Sequence, residues 1–158
     1  MAEDDHDRVW KLMEKNHIAM LITHDGEAIR SRPMGATVKR DENAIYFLTD
    51  VRRHKDDEIR SNPNVAVAFS DTGGQKYVSV SGRAQVSNDR AKIKELWTPL
   101  AKAWWESASD PNIRVLVFTP HDAEYWDSPG KIVSYVAMLT AAVTGAKPKV
   151  GENRKVAM

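Results

Sequence analysis

I29-R-S-R-P-M-G-A-T-V38, K39-R-D-E-N43 and A44-I-Y-F-L-T-D50 decide how this chain folds. The outer two are extended runs and the middle one is a polar turn, so they read as two strands joined by a reversal. V51-R-R-H-K-D-D-E-I-R-S61 then reads as a short helix, Asn62-Pro63 stops it, and N64-V-A-V-A-F69 is another strand. Strands that succeed one another without a crossover helix pair antiparallel, which disfavours a doubly wound parallel sheet. Along the first run the side chains alternate, with Arg30, Arg32 and Met34 on one face and Ser31, Pro33 and Gly35 on the other. Pro33 cannot donate a ladder hydrogen bond, so its strand lies at an edge or bulges. Cationic side chains gather at Arg30 and Arg32, and again at Arg52, Arg53, His54 and Lys55 at the mouth of the helix. Basic groups beside a helix N-terminus on a β surface can hold an anion, most simply a phosphate. Solvated arginines on an edge strand and in a turn are the competing reading of both clusters.

Upstream, Asp4 to Asn16 has the apolar stripe Val9, Trp10, Leu12 and Met13 of an amphipathic helix. I18-A-M-L-I-T23 is a strand, and H24-D-G-E27 is a hairpin turn with Asp-Gly in its centre. Downstream, Val65 to Phe69 and Tyr77 to Val86 are strands, and Asn88 or Asp89 caps a helix with the face Ile93, Leu96, Trp97 and Leu100. Pro99 kinks or splits that helix. Ile113 to Thr119 is a sixth strand, with Ala123 to Asp127 a seventh or its continuation. Lys131 to Gly145 is a helix apolar nearly all round, which suggests a partner surface such as a second copy of the chain. Residues 146–158 read as a mobile tail behind a domain of residues 1–145. The element order predicts a mainly β fold with α, a closed antiparallel barrel with helices packed on it.

Composition excludes several classes of function. At 158 residues the chain is one domain with room for a core. A net charge of +1 argues against a general nucleic-acid binder. The absence of cysteine rules out disulfides, thiolate metal sites and cysteine nucleophiles. No apolar run reaches membrane-spanning length, and M-A-E-D-D-H-D is unlike a signal peptide, so the cytoplasm is the expected compartment. The five histidines are scattered without metal-ligand spacing, so no metal site is expected. Asp71-Thr72-Gly73 reads as a polar turn rather than a protease motif. No nucleophile elbow, P-loop or paired acid and base is present, so a cofactor must supply any chemistry. Glu124-Tyr125-Trp126-Asp127 ends a strand, where Trp126 could stack on a planar ring or cap the barrel core.

Five segments, in order, carry a resemblance. They are Arg30-Ser31-Arg32-Pro33-Met34; Phe47-Leu48-Thr49 with His54-Lys55; Asn62-Pro63-Asn64-Val65-Ala66-Val67; Tyr77-Val78-Ser79-Val80-Ser81-Gly82; and Glu124-Tyr125-Trp126-Asp127-Ser128-Pro129. From about Asp7 to Gly145 the chain resembles the pyridoxamine 5'-phosphate oxidase-like flavoproteins, and within them the bacterial general-stress-protein branch. The resemblance implies a six-stranded split β-barrel of Greek-key type, a homodimer, and FMN in a groove between subunits. It implies that Ser31, Arg32, Pro33 and Met34 line the flavin ring and ribityl chain, and that Leu48 and Thr49 contact it from the neighbouring strand. His54 and Lys55 would hold the phosphate where the oxidases have an Arg-Lys pair, with Arg30 or Arg53 compensating for the histidine. Trp126 would approach from the partner subunit. The oxidases continue with a basic stretch after the segment matching Glu124 to Asp127, whereas here an apolar helix follows. The resemblance therefore implies an FMN-dependent oxidoreductase acting on a small molecule, without pyridoxamine phosphate as its substrate. A flavin-binding stress protein without turnover, and a split-barrel binder of haem or deazaflavin, are the alternatives.

Overall fold

The computed structural model describes residues 4–129, 131–147 and 151–158, and for Lys55, Lys131 and Ile132 the backbone alone. The first reversal is built by Asp25, whose Oδ1 accepts hydrogen bonds from the amides of Glu27 and Ala28 at 3.0 and 2.8 Å. Gly26 supplies the left-handed backbone there, at φ +98°. The turn joins β1 (Ile18–His24) to β2 (Ile29–Gly35), and β3 (Thr37–Lys39), β4 (Ala44–Asp50) and β5 (Asn64–Asp71) follow. After them come β6 (Lys76–Ser87), β7 (Ile113–Asp127) and β8 (Glu152–Ala157). All pairings are antiparallel, in the order β2-β1-β5-β6-β7-β4-β3, with β8 on the remaining edge of β7. The helices are α1 (Asp5–Glu14), α2 (Lys55–Ser61), α3 (Arg90–Leu96) and α4 (Lys131–Thr144).

β7 organises the sheet. β6 runs along it from Val115 to Asp127, while the opposite edge is divided, β4 pairing with Ile113–Phe118 and β8 with Asp122–Asp127. Between these two partners the β6–β7 ladder slips, so that Ser81 faces Asp122 and Gly82 faces Pro120. His121 is the unmatched residue of this bulge, and its carbonyl accepts from the Met158 amide at 2.9 Å. A proline, which a regular central strand excludes, is tolerated at the bulge.

The inner face of the curled sheet forms one core. Leu21, Val67, Val80 and Ala123 face one another in a row across β1, β5, β6 and β7, and all are buried. α1 closes this core with Val9, Trp10, Leu12 and Met13, as its stripe predicts. Tyr125 joins it and donates its hydroxyl to Asp5 Oδ1 at 2.7 Å, tying α1 to β7. Burial first, and the Asp5 carboxylate second, push the Tyr125 phenol up to about 12. Its folded value lies above its unfolded one, so the stability it contributes is complete at neutral pH and is lost as pH rises through about 12. Tyr125→Phe should abolish the tyrosine ionisation step near pH 12 in an ultraviolet titration, and cost about 1 kcal/mol in denaturant unfolding.

A second core lies under α3, where Ala44, Tyr46, Ile93, Leu96, Trp105, Ile113 and Val115 pack together. β4 is thus buried on both faces.

Five expectations are corrected. Among the described residues the sheet has eight strands rather than six, because the run from Ala28 to Val38 breaks at Ala36, whose amide bonds the His17 carbonyl, and because β8 is added. No ladder joins β2 to β3 among the described residues, so the sheet curls without closing, although β2 packs near β4. The segment expected as a mobile tail contains β8, whose backbone is taken up by the free edge of β7 and whose Val156 packs on the core. Leu100 leaves the α3 face and is 80% exposed, since α3 ends at Leu96 and Pro99 starts a separate 3-10 turn. The helix expected from Val51 begins at Lys55, after a 3-10 turn.

Candidate functional site

β2 is the terminal strand of the sheet, so Pro33 sits on an edge strand as its missing N–H requires. The alternation of β2 turns Arg32 and Met34 inward and leaves Ser31 and Pro33 exposed. Inside, Arg32 meets Thr23 of β1 and Glu58 of α2. Its Nη2 donates to Thr23 Oγ1 at 2.8 Å and to Glu58 Oε2 at 3.1 Å, and Thr23 Oγ1 donates to the same Glu58 oxygen at 2.9 Å. The Arg32 side chain is 18% exposed, and its Nη1 is buried with no partner. On β4, Thr49 is turned inward with Ile45 and Phe47, and its Oγ1 is also buried without a partner. These two atoms are the unsatisfied buried side-chain polar atoms among the described residues. Each costs about 1–3 kcal/mol if nothing pairs with it, so each points to a group that completes the site.

The rest of the basic cluster divides. Arg30 pairs with Asp25 in the hairpin turn, at 2.6 Å and in solvent. Arg52 is bound to Asp50 through its backbone amide and its guanidinium, and Asp50 also accepts from the buried Trp105 indole at 3.0 Å. Arg52 is therefore part of the scaffold. Arg53 is exposed and makes no ion pair with a described residue, whereas Arg30 is held by Asp25. His54 is exposed in a left-handed conformation at φ 58°, with Nδ1 3.5 Å from Asp57 Oδ2. That backbone costs about 1–2 kcal/mol for a residue with a Cβ. Lys55 opens α2, and its side chain lies outside the described residues.

The other expected site residues are spread out. Leu48 turns to the opposite face of β4 from Thr49 and packs against the core under α3. Trp126 is 40% exposed on β7, opposite Tyr77 of β6. It lies on the face of β7 opposite the buried Tyr125, whereas Arg32 is turned to the inner side of the sheet. A cleft of about 420 Å³ adjoins the cluster, with Thr23, Ile29 and Gly82 among its walls. Among the described residues no group of three His, Asp or Glu could hold a metal ion, and no helix is long and apolar enough to cross a membrane.

Thr23 and Glu58 escape a reading of the sequence. Neither belongs to a motif, and Glu58 reads as one of three acids balancing the dipole of a helix start. Only the β1–β2 register and the packing of α2 bring them to Arg32.

Residues 4–149 match the family model described as pyridoxamine 5'-phosphate oxidase like. The chain belongs to that family. Among curated relatives, general stress protein 26 of Bacillus subtilis is 28% identical over 123 residues, covering 76% of this chain and 86% of that protein. Protein bli-3 of Neurospora crassa is 26% identical over 148 residues, covering 86% and 71%. The crystal structure of a general stress protein 26 from Jannaschia sp. CCS1 superposes with a TM-score of 0.79 at 26% identity, covering 97% of this chain and 98% of its own. The general stress FMN/FAD binding protein of Xanthomonas citri gives 0.67 at 29% identity, covering 76% and 86%. The membership expected from the five segments is thereby met.

Proposed function

We propose that this chain is an FMN-binding member of the family, an oxidoreductase acting on a small molecule through the bound flavin. The carrying observation is the pair of buried, unpartnered polar atoms, Arg32 Nη1 and Thr49 Oγ1. Both belong to residues that the sequence resemblance assigns to the flavin, and a relative at 29% identity is described as FMN/FAD binding. Flavin, when bound, supplies the hydride or electron transfer. The chain's own residues orient it: Arg32 donates a hydrogen bond from one side, Thr49 offers a hydroxyl from β4, and the β2 edge at Ser31 and Pro33 presents backbone groups to solvent. Arg53, His54 and Lys55 form the turn that takes the phosphate. The curled sheet is read as a Greek-key split barrel of the family type. The exposed apolar side chains of α4, among them Val133, Val136, Leu139 and Val143, are read as the surface of a homodimer that brings Trp126 of one subunit to the flavin of the other. Because α4, rather than a basic segment, follows Asp127, pyridoxamine phosphate is not the proposed substrate.

Titration of apo-protein with FMN, FAD, haem and a deazaflavin side by side tests the cofactor. FMN should bind most tightly, and Arg32→Ala combined with Lys55→Ala should weaken it by about a hundredfold or more, two charge-assisted contacts being lost. Unchanged affinity in the double variant would overturn the assignment. Reduction of bound FMN by NAD(P)H, followed by reoxidation with an added acceptor, separates turnover from storage of the flavin.

A further inference from the structure

We propose that Glu58 and Thr23 are positioning residues that hold Arg32 for an uncharged acceptor of the flavin, leaving the phosphate to the turn at Arg53. This rests on the flavin-binding reading above and concerns which part of the ligand Arg32 meets. The guanidinium is a rigid plane, so fixing one nitrogen fixes the direction of the others. Nη2 is held by two acceptors, Thr23 Oγ1 at 2.8 Å and Glu58 Oε2 at 3.1 Å. Thr23 in turn donates to Glu58, which closes a three-membered ring of hydrogen bonds across β2, β1 and α2. Nη1 is left buried, with N–H groups aimed at no protein acceptor.

The charge of Arg32 is already matched by the Glu58 carboxylate. A phosphate placed on Nη1 would meet that carboxylate's repulsion in a partly buried site, where screening is weak. A carbonyl of the ring's pyrimidine edge, or a ribityl hydroxyl, accepts the same hydrogen bond without that penalty. Arg53, exposed and without a carboxylate partner among the described residues, has no such constraint.

The experiment measures the affinities of FMN, riboflavin and lumiflavin for the wild-type chain and its variants. Arg32→Gln should weaken FMN and riboflavin by the same factor, about tenfold to a hundredfold, so that their ratio is unchanged. Arg53→Gln should weaken FMN alone. An equal loss for lumiflavin assigns the acceptor to the ring, and no loss for it assigns the ribityl chain. Glu58→Gln should weaken riboflavin in the wild-type background but have no further effect when Arg32 is already glutamine, because Glu58 acts through Arg32. A purely structural Glu58 would cost affinity equally in both backgrounds. Thr23→Val provides the same cycle should Glu58→Gln melt below the assay temperature. Loss of FMN binding alone in Arg32→Gln, or additive losses in the cycle, would overturn the inference. Failure of the wild-type chain to bind any flavin would overturn the parent reading instead.

Discussion

Gly82→Ala is expected to lower the melting temperature by about 6–16 °C, the equivalent of roughly 3–4 kcal/mol for a chain of this size. A Cβ at this position would lie 2.1 Å from the Thr119 carbonyl oxygen, 2.9 Å from Phe118 Cζ and 3.0 Å from Pro120 Cα. Two of those three atoms are backbone of β7, so no rotamer change relieves the overlap. The strands must separate at the bulge, where β7 passes from its β4 partner to its β8 partner. Gly35→Ala is the matched control, because a Cβ there meets nothing within 4 Å. It should leave the melting temperature within about 2 °C, as exposed substitutions without a special role do. If both variants melt alike, the close approach of β6 and β7 at Gly82 is wrong.

Asp50→Ala is expected to cost about 2–4 kcal/mol in denaturant unfolding, and to flatten the acid side of the stability profile. Asp50 is buried at the end of β4, where it accepts from the Arg52 amide and guanidinium and from the Trp105 indole. Removing it leaves a buried indole N–H unpaired and frees the turn that carries Arg53 and His54. The Arg52 guanidinium first, and then the Arg52 amide and Trp105, hold the carboxyl well below the usual carboxylate range against the opposing effect of burial. A folded-state pKa lower than the unfolded one stabilises the protein above the unfolded value, near pH 4, and that contribution is lost as pH falls below it. The wild-type chain should therefore lose stability between about pH 5 and 2 more steeply than Asp50→Asn, measured by chemical denaturation at each pH. Equal slopes would remove Asp50 from the account. With the other four tryptophans replaced by phenylalanine, Trp105 fluorescence should follow the same event locally.

Legibility from sequence follows the range of the interactions involved. The Asp-Gly hairpin, the phase of β2 and the end of the last helix at Gly145 are set within a few residues and are readable, while Pro33 narrows its strand to an edge or a bulge and the sheet order decides for the edge. Helix α3 is readable as far as Leu96, but periodicity assigns Leu100 to a face that the Thr98-Pro99 break turns away. β8 escapes because Glu152 to Ala157 has almost no apolar alternation. Its strand character comes from the vacant edge of β7, some thirty residues earlier in the chain, and a local pattern cannot report that. The site divides in the same way. Arg32 and Thr49 stand in readable segments, and each carries an unsatisfied atom, whereas Thr23 and Glu58 acquire their roles only through the register of β1 and the docking of α2. Trp126 is legible as an exposed aromatic at a strand end, but its neighbours in one chain are Tyr77 and Asn153 rather than Arg32.

The divided edge of β7 also governs how the polypeptide assembles as it is made. β4 has only the three-residue β3 beside it until Ile113–Phe118 has left the ribosome, more than sixty residues later. Throughout that interval the Ala44–Asp50 segment, apolar on both sides, carries an unsatisfied edge. Nascent chains should therefore depend on holding chaperones until β7 emerges, and folding should be slow for a domain of this length, because its decisive pairing spans so much intervening sequence.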